Sequence, residues 1–186
     1  IVLHKPLPTS ATVLSTSKIA NIYDKEKAAL VILETTAIDS SDGEKMFTNI
    51  SKLFFRGEGG WGGDRGPSEK FEFPDRDADH VIKYSTRPDQ ALLYRLNGDR
   101  NPLHSDPSFA ALGGFPKPIL HGLCTYGFTG RALLHAICES QPEKFRSMGG
   151  RFSSPVMPGE DLEIHIWAEE EQAKFRTYAS DRVVLD

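Results

Sequence analysis

Gly122-Leu123-Cys124-Thr125-Tyr126-Gly127-Phe128-Thr129-Gly130-Arg131-Ala132-Leu133-Leu134-His135-Ala136-Ile137-Cys138-Glu139 carries the strongest signal of this chain's architecture. It lacks proline, has the length of a helix and is apolar almost all round, with Leu123, Tyr126, Phe128, Leu133, Leu134 and Ile137 set among small residues. A helix without a sustained polar face belongs inside a domain. Gly127 and Gly130 suit close packing against a sheet. Downstream, strand character resumes over Phe145 to Phe152, Asp161 to Ala168, Ala173 to Ala179 and from Val183 onward. In the second of these, Leu162, Ile164, Ile166 and Ala168 alternate with Glu163, His165 and Trp167, the period of a half-buried strand. One buried helix followed by antiparallel strands able to wrap it is an α+β arrangement.

Upstream of the helix, His80 to Thr86 reads as a strand. Pro88 to Leu96 reads as a helix offering Ala91, Leu92, Leu93 and Leu96 for burial, and Ser108 to Leu112 as one further helical turn. Farther back, Thr12 to Arg56 holds three stretches rich in β-branched and aromatic residues, separated by Asp24-Lys25-Glu26-Lys27 and Asp39-Ser40-Ser41-Asp42-Gly43. That is a long antiparallel meander, and Lys27 to Thr36 is apolar enough for a strand covered on both faces. No helical pattern lies before Arg56, so this sheet lacks a local element to pack against, and the sequence is expected to begin partway through a domain.

Between the halves, Gly57-Glu58-Gly59-Gly60-Trp61-Gly62-Gly63-Asp64-Arg65-Gly66-Pro67 contains the glycine spacing of a dinucleotide fingerprint. The fingerprint requires a helix to open at its third glycine, and here Asp-Arg-Gly-Pro follows instead. A flexible connection over residues 57–79 is the better reading, between an N-terminal half at 1–56 and a C-terminal half at 80–186.

The 186 residues are 39% hydrophobic and 26% charged, which excludes a disordered, collagen-like or coiled-coil chain. With 22 basic against 26 acidic residues, a formal charge of −4 and no long basic run, nucleic acid is not expected as a partner. Apolar stretches such as Ala28 to Leu33 fall short of the ~20 residues of a membrane helix, so membrane insertion is not expected. Cys124 and Cys138 lie 14 residues apart, or about 21 Å along a helix, beyond the ~7 Å between Cα atoms that a disulfide tolerates. An intracellular, reducing location fits.

The densest polar cluster is Tyr94-Arg95-Leu96-Asn97-Gly98-Asp99-Arg100-Asn101-Pro102-Leu103-His104-Ser105-Asp106-Pro107. Taken singly, Asp99 reads as a turn residue after Gly98 and His104 as a partly buried histidine with a satisfied ring. Taken together they are an acid and a base five residues apart, able to converge on one water where Pro102 forces a turn. Downstream, Pro118-Ile119-Leu120-His121-Gly122-Leu123-Cys124 leads into the long helix. If the helix starts at His121-Gly122, its first N–H groups are unpaired and carry the positive end of the helix dipole.

The string Gly-Asp-x-Asn-Pro-x-His after Tyr-x-Leu, with the His-Gly helix start downstream, closely resembles the MaoC-like (R)-specific enoyl-CoA hydratase 2 family. That family includes the hydratase part of peroxisomal multifunctional enzyme type 2. His4-Lys5-Pro6-Leu7-Pro8, the glycine-rich connection and Arg151-Phe152 with Pro155-Val156-x-Pro158-Gly159 extend the resemblance over nearly the whole chain. It implies a double hot-dog fold, each half an antiparallel sheet wrapped around a long central helix, with the first hot-dog incomplete in this sequence. It also implies a hydro-lyase of fatty-acid metabolism such as β-oxidation, adding water across the 2,3 double bond of a trans-2-enoyl-CoA to give the (3R)-hydroxyacyl product, or the reverse.

The resemblance places the acid–base pair at Asp99 and His104, the oxyanion contact at Gly122, and a loop- or water-holding amide at Asn101. A CoA thioester carries phosphates, so a local basic patch is expected, with Lys117 and Arg151 as candidates by position. No metal is expected, since His104-Ser105-Asp106 alone is not a ligand set, and no cofactor beyond the CoA of the substrate. His121 is assigned a structural role at the helix start. The family implies a homodimer, peroxisomal in a eukaryote and cytoplasmic in a bacterium. Two rivals remain: a hot-dog thioesterase, and a noncatalytic acyl-CoA-binding module.

Overall fold

The computed structural model describes residues 1–68 and 71–186; the part of the expected connection at 69–70 lies outside the described residues. Two compact units are present, Ile1–Lys70 with Pro142–Gly149 and Phe71–Gln141 with Gly150–Asp186.

The first unit is built on one antiparallel sheet. Its strands are β1 (Val2–Leu3), β2 (Val13–Asp24), β3 (Ala28–Asp39) and β4 (Lys45–Arg56), in the order β1-β4-β3-β2. The polar clusters seen in the sequence form the two reversals, where Glu26 and Gly43 take positive φ angles. No helix lies within residues 1–56. β3 is central in the sheet, yet Leu30 to Thr36 are half-buried rather than covered on both faces as expected, and Leu14, Ile19 and Ile22 of β2 are exposed. The reason is that ladder neighbours protect a strand's edges, not its faces, and the described residues of this unit supply no second layer.

The glycine-rich stretch is not a flexible connection at its start. Asp24, at the end of β2, is 5% exposed, and its carboxylate accepts the N–H groups of Glu26 at 2.8 Å, Gly60 at 2.8 Å and Gly62 at 2.7 Å. The Asp24 N–H in turn donates to Asp64 O at 2.8 Å. Gly59 lies so close to the 26–28 turn that a Cβ there would stand 2.5 Å from the Ala28 nitrogen. The glycines are therefore spacing for a backbone clasp.

In the second unit β5 (His80–Ser85), β6 (Asp161–Ala168), β7 (Ala173–Ala179) and β8 (Arg182–Leu185) form an antiparallel sheet in that order. Leu162, Ile164 and Ile166 of β6 are fully buried as the alternation requires, while at its end Trp167 is buried and Ala168 exposed. Trp167 turns inward because residues 71–79 pack on this sheet. Its indole N–H donates to Arg76 O at 3.0 Å, its ring lies 5.5 Å from that of Phe73, and Ala168 N–H donates to the Asp79 carboxylate at 2.7 Å. The far end of the expected connection is thus also tied down.

Between β5 and β6 run three helices, α1 (Gln90–Tyr94), α2 (Pro107–Leu112) and α3 (Gly122–Ala136). α3 is joined to the sheet by a buried Thr129–Thr177 hydroxyl pair at 2.7 Å and by Phe128 against Tyr84, centroids 5.6 Å apart. It buries Cys124, Thr125, Thr129, Ala132 and Leu133, but Gly122, Leu123, Gly127 and Arg131 form an exposed stripe. The expectation of a wholly interior helix is corrected: one sheet covers one side of it. α1 is also shorter than expected, tightening into a 3₁₀ turn at Arg95–Asn97, and only Ala91 is buried, with Leu92, Leu93 and Leu96 exposed.

The strand expected over Phe145 to Phe152 is absent. Gly149-Gly150 divides it: Ser147 bridges Val2 in the first unit, whereas Phe152 bridges Leu185 in the second. Neither cysteine is in a disulfide, and both are buried. No helix among the described residues is long and apolar enough to cross a membrane.

Candidate active site

The polar cluster between α1 and α3 folds through a series of local turns. Gly98 closes the 3₁₀ turn at φ 105°, a conformation that favours glycine, and releases the chain into Asp99. Asp99 Oδ1 accepts the Asn101 N–H at 3.2 Å, and Asn101 Oδ1 accepts the Leu103 N–H at 3.0 Å, capping the 3₁₀ turn Pro102–His104. Arg95 donates to the Ser105 hydroxyl at 2.7 Å, and Asp106 caps α2 through the Ser108 N–H at 2.8 Å. The turns that Gly98, Asn101 and Pro102 enforce bring His104 back toward Asp99.

His104 is 9% exposed, and its Nδ1 lies 2.8 Å from Ile119 O. A carbonyl can only accept, so Nδ1 carries the hydrogen and Nε2 of the neutral ring keeps a bare lone pair. His121, 1% exposed, precedes the first residue of α3, and its Nε2 lies 3.2 Å from Asp99 O, so by the same reasoning Nε2 carries its hydrogen. The two imidazoles stack at 3.8 Å between centroids with 28° between planes, and Tyr94 closes on His121 at 4.7 Å. Burial, and secondarily the neighbouring His104, lower the pKa of His121 below its usual 6.5. Burial likewise raises the Cys124 thiol to about 11, which makes it an inert core group.

Asp99, His104 and His121 each offer one ligand atom, and these atoms lie within 4.8 Å of one another. They are the residues that could hold a cation here. A bound cation, however, lies close to the plane of each imidazole that holds it, and two ring planes stacked at 3.8 Å with 28° between them do not meet within ligand reach. A small polar molecule bridging the exposed Asp99 carboxylate and His104 Nε2 fits this disposition better.

Gly122 is the first residue of α3, so its N–H and that of Leu123 have no partner within the helix. A Cβ on Gly122 would stand 3.1 Å from the ring of Phe152, which is half exposed beside it. The fold therefore brings Asp99, His104 and the α3 N-terminus together, with Asn101 as the cap of the loop between the first two. Lys117 is exposed and has no ion pair among the described residues. Arg151 is engaged: Asp186 lies 3.4 Å from its guanidinium, which stands over the Phe71 ring at 5.7 Å. The stacking of His121 on His104 and the place of Phe152 against Gly122 were not foreseen, because neither pair has a short-range spacing in the sequence.

Family models agree with this geometry. The MaoC like domain matches residues 70–185, and the MFE-2 hydratase 2 N-terminal domain matches residues 1–57. The chain belongs to the MaoC-like dehydratase family. A MaoC-like relative in Dictyostelium discoideum, a probable enoyl-CoA hydratase 2, is 47% identical over 164 residues, 87% of this chain and 56% of that protein. The 3-hydroxyacyl-thioester dehydratase Y of Mycobacterium tuberculosis is 48% identical over 195 residues, covering 99% of this chain and 67% of its own. Among solved structures, a MaoC-like dehydratase from Phytophthora capsici superposes with a TM-score of 0.93 at 36% identity, over 100% of this chain and 66% of that one. Full-length peroxisomal multifunctional enzyme type 2 from Drosophila melanogaster gives 0.90 at 38%, over 99% of this chain and 34% of that one. The α+β fold is thus the hot-dog of MaoC-like proteins, and the chain spans 56% and 57% of the lengths of two of these curated relatives.

Proposed function

We propose that this chain carries the acid–base site of a (3R)-specific enoyl-CoA hydratase, a hydro-lyase that also dehydrates (3R)-3-hydroxyacyl-CoA. The observation that carries the proposal is the convergence of the Asp99 carboxylate and the His104 ring beside the open N-terminus of α3. A water held between that carboxylate and His104 Nε2 is placed for deprotonation. Its oxygen bonds to C3 of the enoyl group, the 2,3 π bond breaks, and a proton delivered by the same pair reaches C2. Because the two groups are neighbours, the proton inventory belongs to the pair rather than to either residue.

As the C3–O bond forms, negative charge develops on the thioester oxygen. The Gly122 N–H, at the positive end of α3, is the donor we assign to it. Asn101 acts by holding the loop, through its cap on Leu103 N–H. Lys117 is the better candidate for a CoA phosphate, since Arg151 is already engaged by Asp186. We read the cluster as a water site with no resident metal, and the enzyme as a homodimer acting where acyl-CoA is oxidised, the peroxisome in a eukaryote.

The test is hydration of trans-2-decenoyl-CoA, followed as loss of enoyl-thioester absorbance, with chiral analysis of the product. Formation of the 3R product by the wild type and its loss in Asp99→Asn is the expected result. Free CoA without hydration would replace this reading with a thioesterase, and binding without any turnover would replace it with a noncatalytic module.

A further inference from the structure

We infer that His121 is a positioning residue of this site: its ring N–H holds the Asp99 backbone and its face supports His104, so that one buried side chain sets the acid–base pair in register with the Gly122 N–H. The inference rests on the proposed hydratase reading and extends it to a residue that touches no substrate. Three observations converge on it. His121 Nε2 donates to Asp99 O at 3.2 Å, the imidazole stacks on His104 at 3.8 Å, and its own backbone carbonyl accepts the Cys124 N–H at 3.0 Å in the first turn of α3. Residues remote in the chain, at 99, 104 and 122, thus share one rigid reference. A single turn of misplacement in any of them would separate water, base and oxyanion donor, and catalysis is sensitive to displacements of about 1 Å.

The orphaned atom of the ring points the same way. His121 Nδ1 is buried and has no hydrogen-bond partner among the described residues. Protonating it would bury an unanswered N–H in a second cation pressed against His104. The groups facing His121 are Tyr94 and Arg95 from the segment before the loop and Asp99 and His104 within it, and burial already disfavours its charged form. His121 therefore stays neutral while His104 gains and loses a proton, and a neutral aromatic face accommodates the imidazolium that forms. Of the two stacked rings, one is the proton carrier and the other its platform.

Variants separate the two contacts. His121→Gln retains an N–H donor without the ring, His121→Phe retains the ring without the donor, and His121→Ala has neither. Expected is a fall in kcat per folded molecule of about 100-fold in His121→Ala, with partial recovery in the other two and KM close to wild type, while thermal unfolding falls only by what the buried cavity costs. Unchanged kcat in His121→Ala would overturn the inference, as would a loss of activity matched by the loss of folded protein in all three. A readout independent of turnover is the ¹⁵N spectrum of the imidazoles. His121 should remain neutral with its hydrogen on Nε2 across pH ~5.5–7.5, a window of about one unit either side of the usual histidine value, and a titrating His121 would refute the platform role. Because wild-type hydration is measured first, absence of any hydration would sink the reaction, whereas hydration indifferent to His121 would sink only the positioning role.

Discussion

Asp24 and Asp99 both stand beside glycines, Asp24 against Gly60 and Gly62 and Asp99 directly after Gly98, and they have opposite uses. Asp24 is 5% exposed, and the backbone N–H groups of Glu26, Gly60 and Gly62 engage both of its oxygens. Those donors, Gly60 first, hold its carboxyl below the usual carboxylate range. Asp99 is exposed and accepts one N–H among the described residues, at 3.2 Å, with a histidine lone pair beside it. A carboxylate whose lone pairs are filled by its own backbone can only hold structure. One that is underfilled, next to a base whose tautomer is fixed, has capacity left for a substrate or water. Residue type does not tell the two apart; the donor count does.

Removing the charge at each aspartate is the sharpest way to test that contrast. Asp99→Asn should lower kcat by about 1,000-fold with the unfolding temperature unchanged, because it deletes an acid–base group while the amide Oδ1 can still accept the Asn101 N–H. Equal loss of stability and activity in this variant would break the contrast, and circular-dichroism melting beside the hydration assay measures both.

Next in size is the oxyanion donor. Gly122→Pro removes one N–H at the first helical position, where proline is tolerated, and His121 already has the φ −57°, ψ 132° that a residue before proline prefers. An activity loss of about 100-fold in kcat is expected, with the helix retained by circular dichroism. Gly122→Ala is the control for crowding, since its Cβ meets Phe152 at 3.1 Å while its N–H remains. If alanine loses as much as proline, the ring of Phe152 and not the missing donor is responsible. Smaller still is the phosphate contact: Lys117→Ala should raise KM for the CoA substrate about fivefold, the scale of one exposed charge contact, and Arg151→Ala should leave it unchanged.

The same contrast explains what could be read from the sequence. β2, β3 and β4 were legible because their alternation and the polar clusters between them are local signals, and β6 and β7 match the expected Asp161 to Ala168 and Ala173 to Ala179. The family string led to Asp99, His104 and Gly122 as residues, though only the fold shows that His121 joins them. The errors were all non-local. The glycine-rich stretch read as flexible because nothing near it in sequence reveals that Asp24 gathers its N–H groups. Phe145 to Phe152 read as one strand because its two ends pair with Val2 and Leu185, partners far away in the chain. Leu92, Leu93 and Leu96 read as core because their spacing is helical, but a stripe of leucines is buried only where another layer meets it.

The smallest effect tests the structural half of the contrast through pH. Asp24 has a folded-state pKa below the usual carboxylate value. A carboxyl depressed in the folded state contributes stability that is fully present above the unfolded pKa and is lost as pH falls through the folded one. Asp24→Asn removes that contribution, since a neutral amide has no charge for the N–H groups of Gly60 and Gly62 to stabilise. The unfolding temperature of the variant should therefore lie below wild type near neutral pH by several degrees, and the gap should narrow as acid protonates the wild-type carboxyl. Activity per folded molecule should not change, because the clasp belongs to the first unit and Asp99 to the second. A gap that persists undiminished well below pH 3 would mean that shape, not charge, holds the glycine-rich segment to the β2–β3 turn. Asp24 would then serve as a spacer rather than as the anion its donors are arranged to receive.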